Sequence, residues 1–125
     1  MDTDQTKDLL TEKIIGCAYT VANTLGYGFL EKVYENSLAF ELRKSGLSIE
    51  QQKPLTVSYS GAIVGEYFAD LFVEQRIVVE LKAVKAIDDT HVSQCLNYLK
   101  ASQNRQGLII NFSPSRVEVR RLVMG

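Results

Sequence analysis

Asp70, Glu80 and Lys82 stand inside two runs, 62–73 and 77–84, whose other residues are mostly those of buried β-strand. A buried charge is costly unless it is paired or holds a metal, so ionisable groups placed this way need an explanation. If the hairpin between the runs closes around Gln75, Asp70 falls directly across from Glu80. Alternation puts Glu80 and Lys82 on one face with Val78 and Val84, and Asp70 on one with Phe68 and Phe72. One reading is a buried salt bridge of Lys82 with one acid, the other acid lying at a wet sheet end. The second reading is a metal site. Two carboxylates about 5 Å apart repel by roughly 3 kcal/mol at an effective dielectric near 20, and a single lysine does not obviously offset that together with desolvation. A divalent cation does. Mg²⁺ takes oxygen ligands, keeps several waters and needs only one or two protein carboxylates. It polarises phosphoryl oxygens and acidifies water, and Lys82 is placed to orient that water or to stabilise charge growing on a phosphorane. Acid, acid and lysine in this arrangement fit phosphodiester hydrolysis.

Three further residues are candidates to join them. Glu31 opens a second helix on the stripe that carries Tyr34 and Leu38, so it points either at the sheet or, as an acid complementing the helix dipole, at water. Gln94 and Tyr98 lie one above the other on the flank of a third helix, where such residues are usually rim and solvent. His91 is the only histidine, which excludes histidine-rich zinc sites and leaves it a helix-flank residue within reach of a substrate phosphate. Cys17 and Cys95 have no metal or disulfide spacing and read as buried free thiols. Ser58, Ser60 and Ser113 lack a nucleophile-elbow context. Gly26-Tyr27-Gly28 is too short for a dinucleotide fingerprint, and its glycines make a turn.

The elements that must hold these groups follow from periodicity. Leu10, Ile14, Cys17, Val21 and Leu25 mark one face of a helix over 5–25, with Thr3 or Asp4 as N-cap and Gly26 as its end. A second helix runs from Leu30 to about Ser45, with Leu30, Val33, Tyr34, Leu38 and Leu42 inward and Gly46 at C′. From Leu47 to Val84 the period becomes two, giving a three-stranded antiparallel meander near 55–59, 62–73 and 77–84. Pro54 marks the first strand as an edge or a strand start, and the other two, apolar on both faces, are central. Asp88 or Asp89 caps a helix to about Asn104, with Val92, Cys95, Leu96 and Leu99 as its core stripe. Strands over 108–112 and 116–123 follow. The passage from 77 to 112 is long enough for a parallel crossover. The order is α-α-β-β-β-α-β-β.

The 125 residues suit one domain, and composition is that of an ordinary globular protein, without low-complexity segments or internal repeats. The start lacks the basic and apolar regions of a signal peptide and no apolar run is long enough to span a bilayer, so the expected location is the cytoplasm, with no membrane partner. Net charge is −1, but residues 1–81 carry seven basic and twelve acidic groups while 82–125 carry seven and three, a polarity able to guide a polyanion.

Together these residues resemble a known pattern. Gly28-Phe29-Leu30-Glu31-Lys32-Val33-Tyr34 matches the GxxExxY signature of a family of small prokaryotic proteins. Asp70, Glu80-Leu81-Lys82 and Gln94-Cys95-Leu96-Asn97-Tyr98 look like the D, ExK and QxxxY elements of the PD-(D/E)xK nuclease superfamily, with Ala69 where the superfamily name has proline. The resemblance runs from the second helix to the last strands. It implies an α/β, restriction-endonuclease-like core, a mixed β-sheet flanked by helices, forming a single nuclease-like domain over 1–125. It implies catalytic roles for Glu31, Asp70, Glu80, Lys82, Gln94 and Tyr98. Asp70 and Glu80 would ligate Mg²⁺, or Mn²⁺ in its place, with Glu31 completing the acidic cluster and the Leu81 carbonyl as a further ligand. Gln94 and Tyr98 would position the metal site or a substrate strand. The expected activity is Mg²⁺-dependent hydrolysis of nucleic acid, DNA ahead of RNA. The alternatives are a non-catalytic nucleic-acid- or partner-binding module on the same fold, and a metal hydrolase for small phosphoesters. A chain this small and mildly acidic has little surface for a duplex, which points to a homodimer or a protein partner.

Overall fold

The computed structural model describes residues 3–124, with side chains from Leu9 onward. The N-cap expected at Thr3 or Asp4 lies outside the described side chains. The elements are α1 (Thr3–Leu25), α2 (Glu31–Lys44), β1 (Ile49–Tyr59), β2 (Ala62–Val73), β3 (Ile77–Lys82), α3 (Asp89–Ser102), β4 (Gln106–Phe112) and β5 (Val117–Val123). The strands form one five-stranded sheet in the order β1-β2-β3-β4-β5. Pairing is antiparallel except between β3 and β4, which are parallel and joined through α3.

Both faces of the sheet are covered. Ile14 and Val21 of α1 and Tyr34, Leu38 and Leu42 of α2 pack on Leu71, Val79, Leu81 and Ile110. Cys95 and Leu99 of α3 pack on Phe72, Val78 and Ile109 on the opposite side. The apolar runs 77–79 of β3 and 108–110 of β4 are what strands covered on both faces require. Asp88 caps α3 as expected, accepting from the His91 N–H at 3.0 Å, and His91 Nδ1 accepts in return from the Asp88 N–H at 3.2 Å. Gly26 and Gly28 have φ of 75° and 103°, a left-handed turn that glycine adopts without Cβ strain.

Several expectations are corrected. Leu30 is 80% exposed and Val33 is exposed too, because α2 begins only at Glu31 and its inward stripe is Tyr34, Glu35, Leu38, Ala39 and Leu42. β1 begins at Ile49, six residues earlier than the expected strand near 55–59, and it is the edge strand that Pro54 suggested. β2 is central only in its last turn of pleats, where Leu71, Phe72 and Val73 pair with β3. Its earlier part forms a two-stranded ribbon with β1, on which Ile63, Val64 and Phe68 are exposed, since six-residue β3 offers no neighbour there. β3 ends at Lys82, so Val84 shares no strand face with Glu80.

Strict alternation also fails at Asp70. Tyr67 and Ala69 pack on the α3 side, yet Leu71 and Val73 pack on the α1–α2 side. The pleat changes phase across Asp70 and its neighbour on β1, Gln52, whose φ is 54°. Regular β1–β2 pairing skips these two residues, resuming on either side at Gln51↔Leu71 and Lys53↔Ala69. The ladder's interruption is what frees Asp70 to turn its carboxylate between strands.

Candidate active site

The β2–β3 register, Leu71↔Val79 and Phe72↔Val78, has the alignment expected for closure around Gln75. Beyond Leu71 the ladder stops, and a side chain takes over from backbone: Asp70 Oδ2 accepts the Leu81 N–H at 2.8 Å. Asp70 Oδ1 accepts from Gln52 Nε2 at 3.2 Å. Burial raises the Asp70 pKa above the ordinary aspartate value, and these two donors hold it down.

Glu80 lies on the α3 side, beside Ile109 of β4. Its Oε2 and the hydroxyl of neighbouring Tyr67 are both buried without a partner at full hydrogen-bond geometry. Burial first, then the charge of Asp70, pushes the Glu80 carboxyl up to about 8, against the Tyr67 hydroxyl, which is close enough to act on the carboxyl and holds its pKa down. Burial and the charge of Glu80 raise Tyr67 as well, and burial pushes the Cys95 thiol up to about 12. Lys82 forms no ion pair among the described residues, whose bridges join Lys32 to Glu35, Lys53 to Glu50, Asp88 to His91 and Glu12 to Arg121. The salt-bridge explanation for the strand charges therefore does not hold.

Each flanking candidate is brought near from a different layer. Glu31, at the first turn of α2, is exposed but lies against the Ala83 N–H and within the field of Asp70 and Lys82, and desolvation raises its pKa. Gln94 Nε2 donates to Tyr98 Oη at 3.0 Å on α3, and the Tyr98 ring stacks on Tyr67 at 3.4 Å. Tyr67, Glu80, Lys82, His91, Gln94 and Tyr98 line a cleft of about 90 Å³. That is room for a few waters or a hydrated ion, at ~30 Å³ per water, and too little for a nucleotide.

Among the described residues no three His, Cys, Asp or Glu side chains lie close enough together to hold an ion. Asp70, which lies outside the lining of that cleft, and Glu80, whose pKa its charge helps to raise, are the two carboxylates that would hold a divalent cation together with waters. The buried Glu80 oxygen, with the Tyr67 hydroxyl beside it, is where such an ion would find a ligand.

Three supporting residues carry no motif and escaped the sequence reading. Glu35 is buried and accepts from Gln51 at 2.8 Å, Gln52 at 3.0 Å and Lys32 at 2.9 Å. Gln52 thus bridges Glu35 on α2 to Asp70. Fully buried Asn111 clamps the loop after Lys82, its Oδ1 accepting the Val84 N–H and its Nδ2 donating to the Val84 carbonyl, both at 2.9 Å. A polar Gln51-Gln52 pair inside a strand and an Asn ending an apolar one were the available signals.

A family model described as PD-(D/E)XK nuclease superfamily matches residues 8–122, and the chain belongs to that superfamily. Its members are generally phosphodiesterase nucleases that typically use divalent metals. Among solved structures, one titled "Crystal structure of SSO0001" is similar, with a TM-score of 0.57 at 17% identity, over 74% of this chain and 50% of that one. The likeness is one of fold, restriction-endonuclease-like α/β, and this chain spans about half the length of that protein. No curated protein matches. Among the described residues no helix is long and apolar enough to cross a membrane.

Proposed function

We propose that residues 1–125 act as a single nuclease-like domain that hydrolyses nucleic-acid phosphodiester bonds with Mg²⁺, or with Mn²⁺ in its place, DNA ahead of RNA. The observation that carries this reading is the juxtaposition of two desolvated carboxylates, one with a buried oxygen lacking a partner at full hydrogen-bond geometry, and a lysine without an ion-pair partner. Asp70 and Glu80 hold the cation, which supplies Lewis-acid polarisation of a phosphoryl oxygen and a more acidic water. Lys82 orients the attacking water and stabilises negative charge that grows on the phosphoryl group. Glu31 adds negative charge from α2, and Gln94 with Tyr98 positions the substrate strand from α3.

The test compares wild type with Lys82→Ala and Asp70→Ala on single-stranded, double-stranded and structured oligonucleotides, with and without Mg²⁺. Metal-dependent cleavage that falls at least 100-fold in Lys82→Ala is expected, the scale for losing one stabiliser of transition-state charge. Absence of cleavage together with no shift in melting temperature on adding Mg²⁺ or Mn²⁺ rules the reading out. Binding of nucleic acid without cleavage marks the non-catalytic module, and turnover of a chromogenic ester alone marks a small-phosphoester hydrolase.

A further inference from the structure

Tyr27 is 65% exposed in the α1–α2 connection. The connection itself is not loose. The hydroxyl of buried Tyr34 donates to the Gly26 carbonyl at 2.8 Å and accepts from the Phe29 N–H at 3.4 Å. Phe29 packs edge-on against Tyr34, and Tyr34 stacks on Phe112 of β4 at 4.4 Å. Tyr27 is therefore held out from a framework anchored in the core.

Two hollows meet at this ring. One, of about 390 Å³, is bounded by Tyr27, Phe29, Ala83 and Lys85, and the other, of about 280 Å³, by Tyr27 and the 113–116 loop with Arg116. The first hollow and the cleft at Glu80 share no lining residue but are linked along the chain, since Ala83, which lines the hollow, directly follows Lys82, which lines the cleft. Lys85 and Arg116 are exposed. Glu118 on β5 is engaged elsewhere, accepting the Ile87 N–H at 2.9 Å and the Asn111 amide at 3.2 Å.

We infer that Tyr27, flanked by Lys85 and Arg116, is a stacking platform for an unpaired base, and that it feeds a single-stranded nucleic-acid end to the site at Asp70, Glu80 and Lys82. An exposed aromatic face needs a free base face, which a strand offers once its bases are unstacked and a duplex interior does not. The two cations meet the phosphates on either side of that base. The first hollow, about 390 Å³, is of the size that small ligands occupy. The 90 Å³ catalytic cleft is not, so the nucleotide beside the scissile bond has to rest outside it.

This inference takes its ligand class from the nuclease reading, and binding measured in EDTA separates the two. Fluorescence anisotropy with a labelled oligothymidylate is expected to show wild type and Tyr27→Phe binding alike, and Tyr27→Ala binding about tenfold more weakly, the worth of one base stack. An abasic strand of the same length should bind wild type as weakly as Tyr27→Ala binds oligothymidylate. If wild type fails to bind oligothymidylate saturably, or Tyr27→Ala matches it, or a blunt hairpin duplex binds as tightly, the platform is overturned. A tenfold Tyr27 effect in a protein that never cleaves keeps the platform and removes the nuclease. Metal-dependent cleavage with no Tyr27 effect does the reverse.

Discussion

Tyr67 of β2 and Tyr98 of α3 stack with ring centroids 3.4 Å apart and planes 16° from parallel, closing one wall of the cleft that contains Glu80. The stack ties the helix that carries Gln94 to the β1–β2 ribbon. It gives Tyr98 two separable parts, a ring that packs and a hydroxyl that accepts from Gln94.

Tyr98→Ala should therefore lower stability by about 2 kcal/mol through lost packing and stacking, read as a shift in urea midpoint. Tyr98→Phe keeps the stack and should stay within about 0.5 kcal/mol of wild type, since the lost hydrogen bond is at the surface. If the hydroxyl positions substrate, Tyr98→Phe should still cleave about tenfold more slowly, the value of one hydrogen bond of ~1.4 kcal/mol.

Glu80 makes the metal-free protein sensitive to pH in an unusual direction. Its folded pKa is about 8 against an ordinary 4.5, so between those values the folded chain keeps a proton that the unfolded chain has released. Stability is then fully present below about pH 4.5 and is lost as pH rises through about 8, and Asp70 and Glu31, also raised, act in the same sense. Urea melts in EDTA should show a loss on the order of a few kcal/mol across this window, largely abolished by Glu80→Gln. If the ionised form holds Mg²⁺ as proposed, added Mg²⁺ should stabilise wild type more at pH 8 than at pH 6.

Most of the sheet was legible because period-two apolar runs and the Gln75 turn leave few alternatives: the order of elements and the β2–β3 alignment follow from residue type alone. The charged strand positions were legible for the same reason, as exceptions to that pattern. Hidden from it was the phase change at Gln52 and Asp70, because a single residue with φ of 54° leaves no mark on a hydrophobic period. Glu35 was hidden too. An acid one turn after Glu31 reads as solvent until Gln51 and Gln52, remote in sequence, arrive to satisfy it.

Asp70 has a structural role, accepting from Leu81 and Gln52, beside its proposed metal-binding one, and two substitutions divide them. Asp70→Ala leaves the Leu81 N–H without an acceptor and Gln52 without one of its two, and should cost about 1–3 kcal/mol in metal-free protein. Asp70→Asn retains an oxygen for one of those donors and removes a charge that burial disfavours, so without metal it should be more stable than Asp70→Ala. Both should lose the Mn²⁺-induced rise in melting temperature. A stable Asp70→Asn that still responds fully to Mn²⁺ would place the cation elsewhere.

Asn111 sets the path of the chain that leaves Lys82 for α3. Its amide pairs with both backbone groups of Val84 and donates to Glu118 Oε1 at 3.2 Å, and Glu118 in turn accepts the Ile87 N–H. Those bonds replace a strand ladder that ends at Lys82, so the loop's geometry depends on one side chain at the end of β4. Asn111→Leu fills a similar volume but strands the Val84 N–H and carbonyl, and should cost about 3 kcal/mol. Hydrogen exchange should accelerate at Val84 and Ile87 while the amides of β3 up to Leu81 keep their protection, because β3 remains paired with β4 on its own. Cleavage should fall in step with that loosening, since Lys82 and the α3 residues would no longer be held at a fixed separation. Unchanged exchange at Val84 in a folded Asn111→Leu would show that the α3 packing of Ile87, and not the amide clamp, positions the loop.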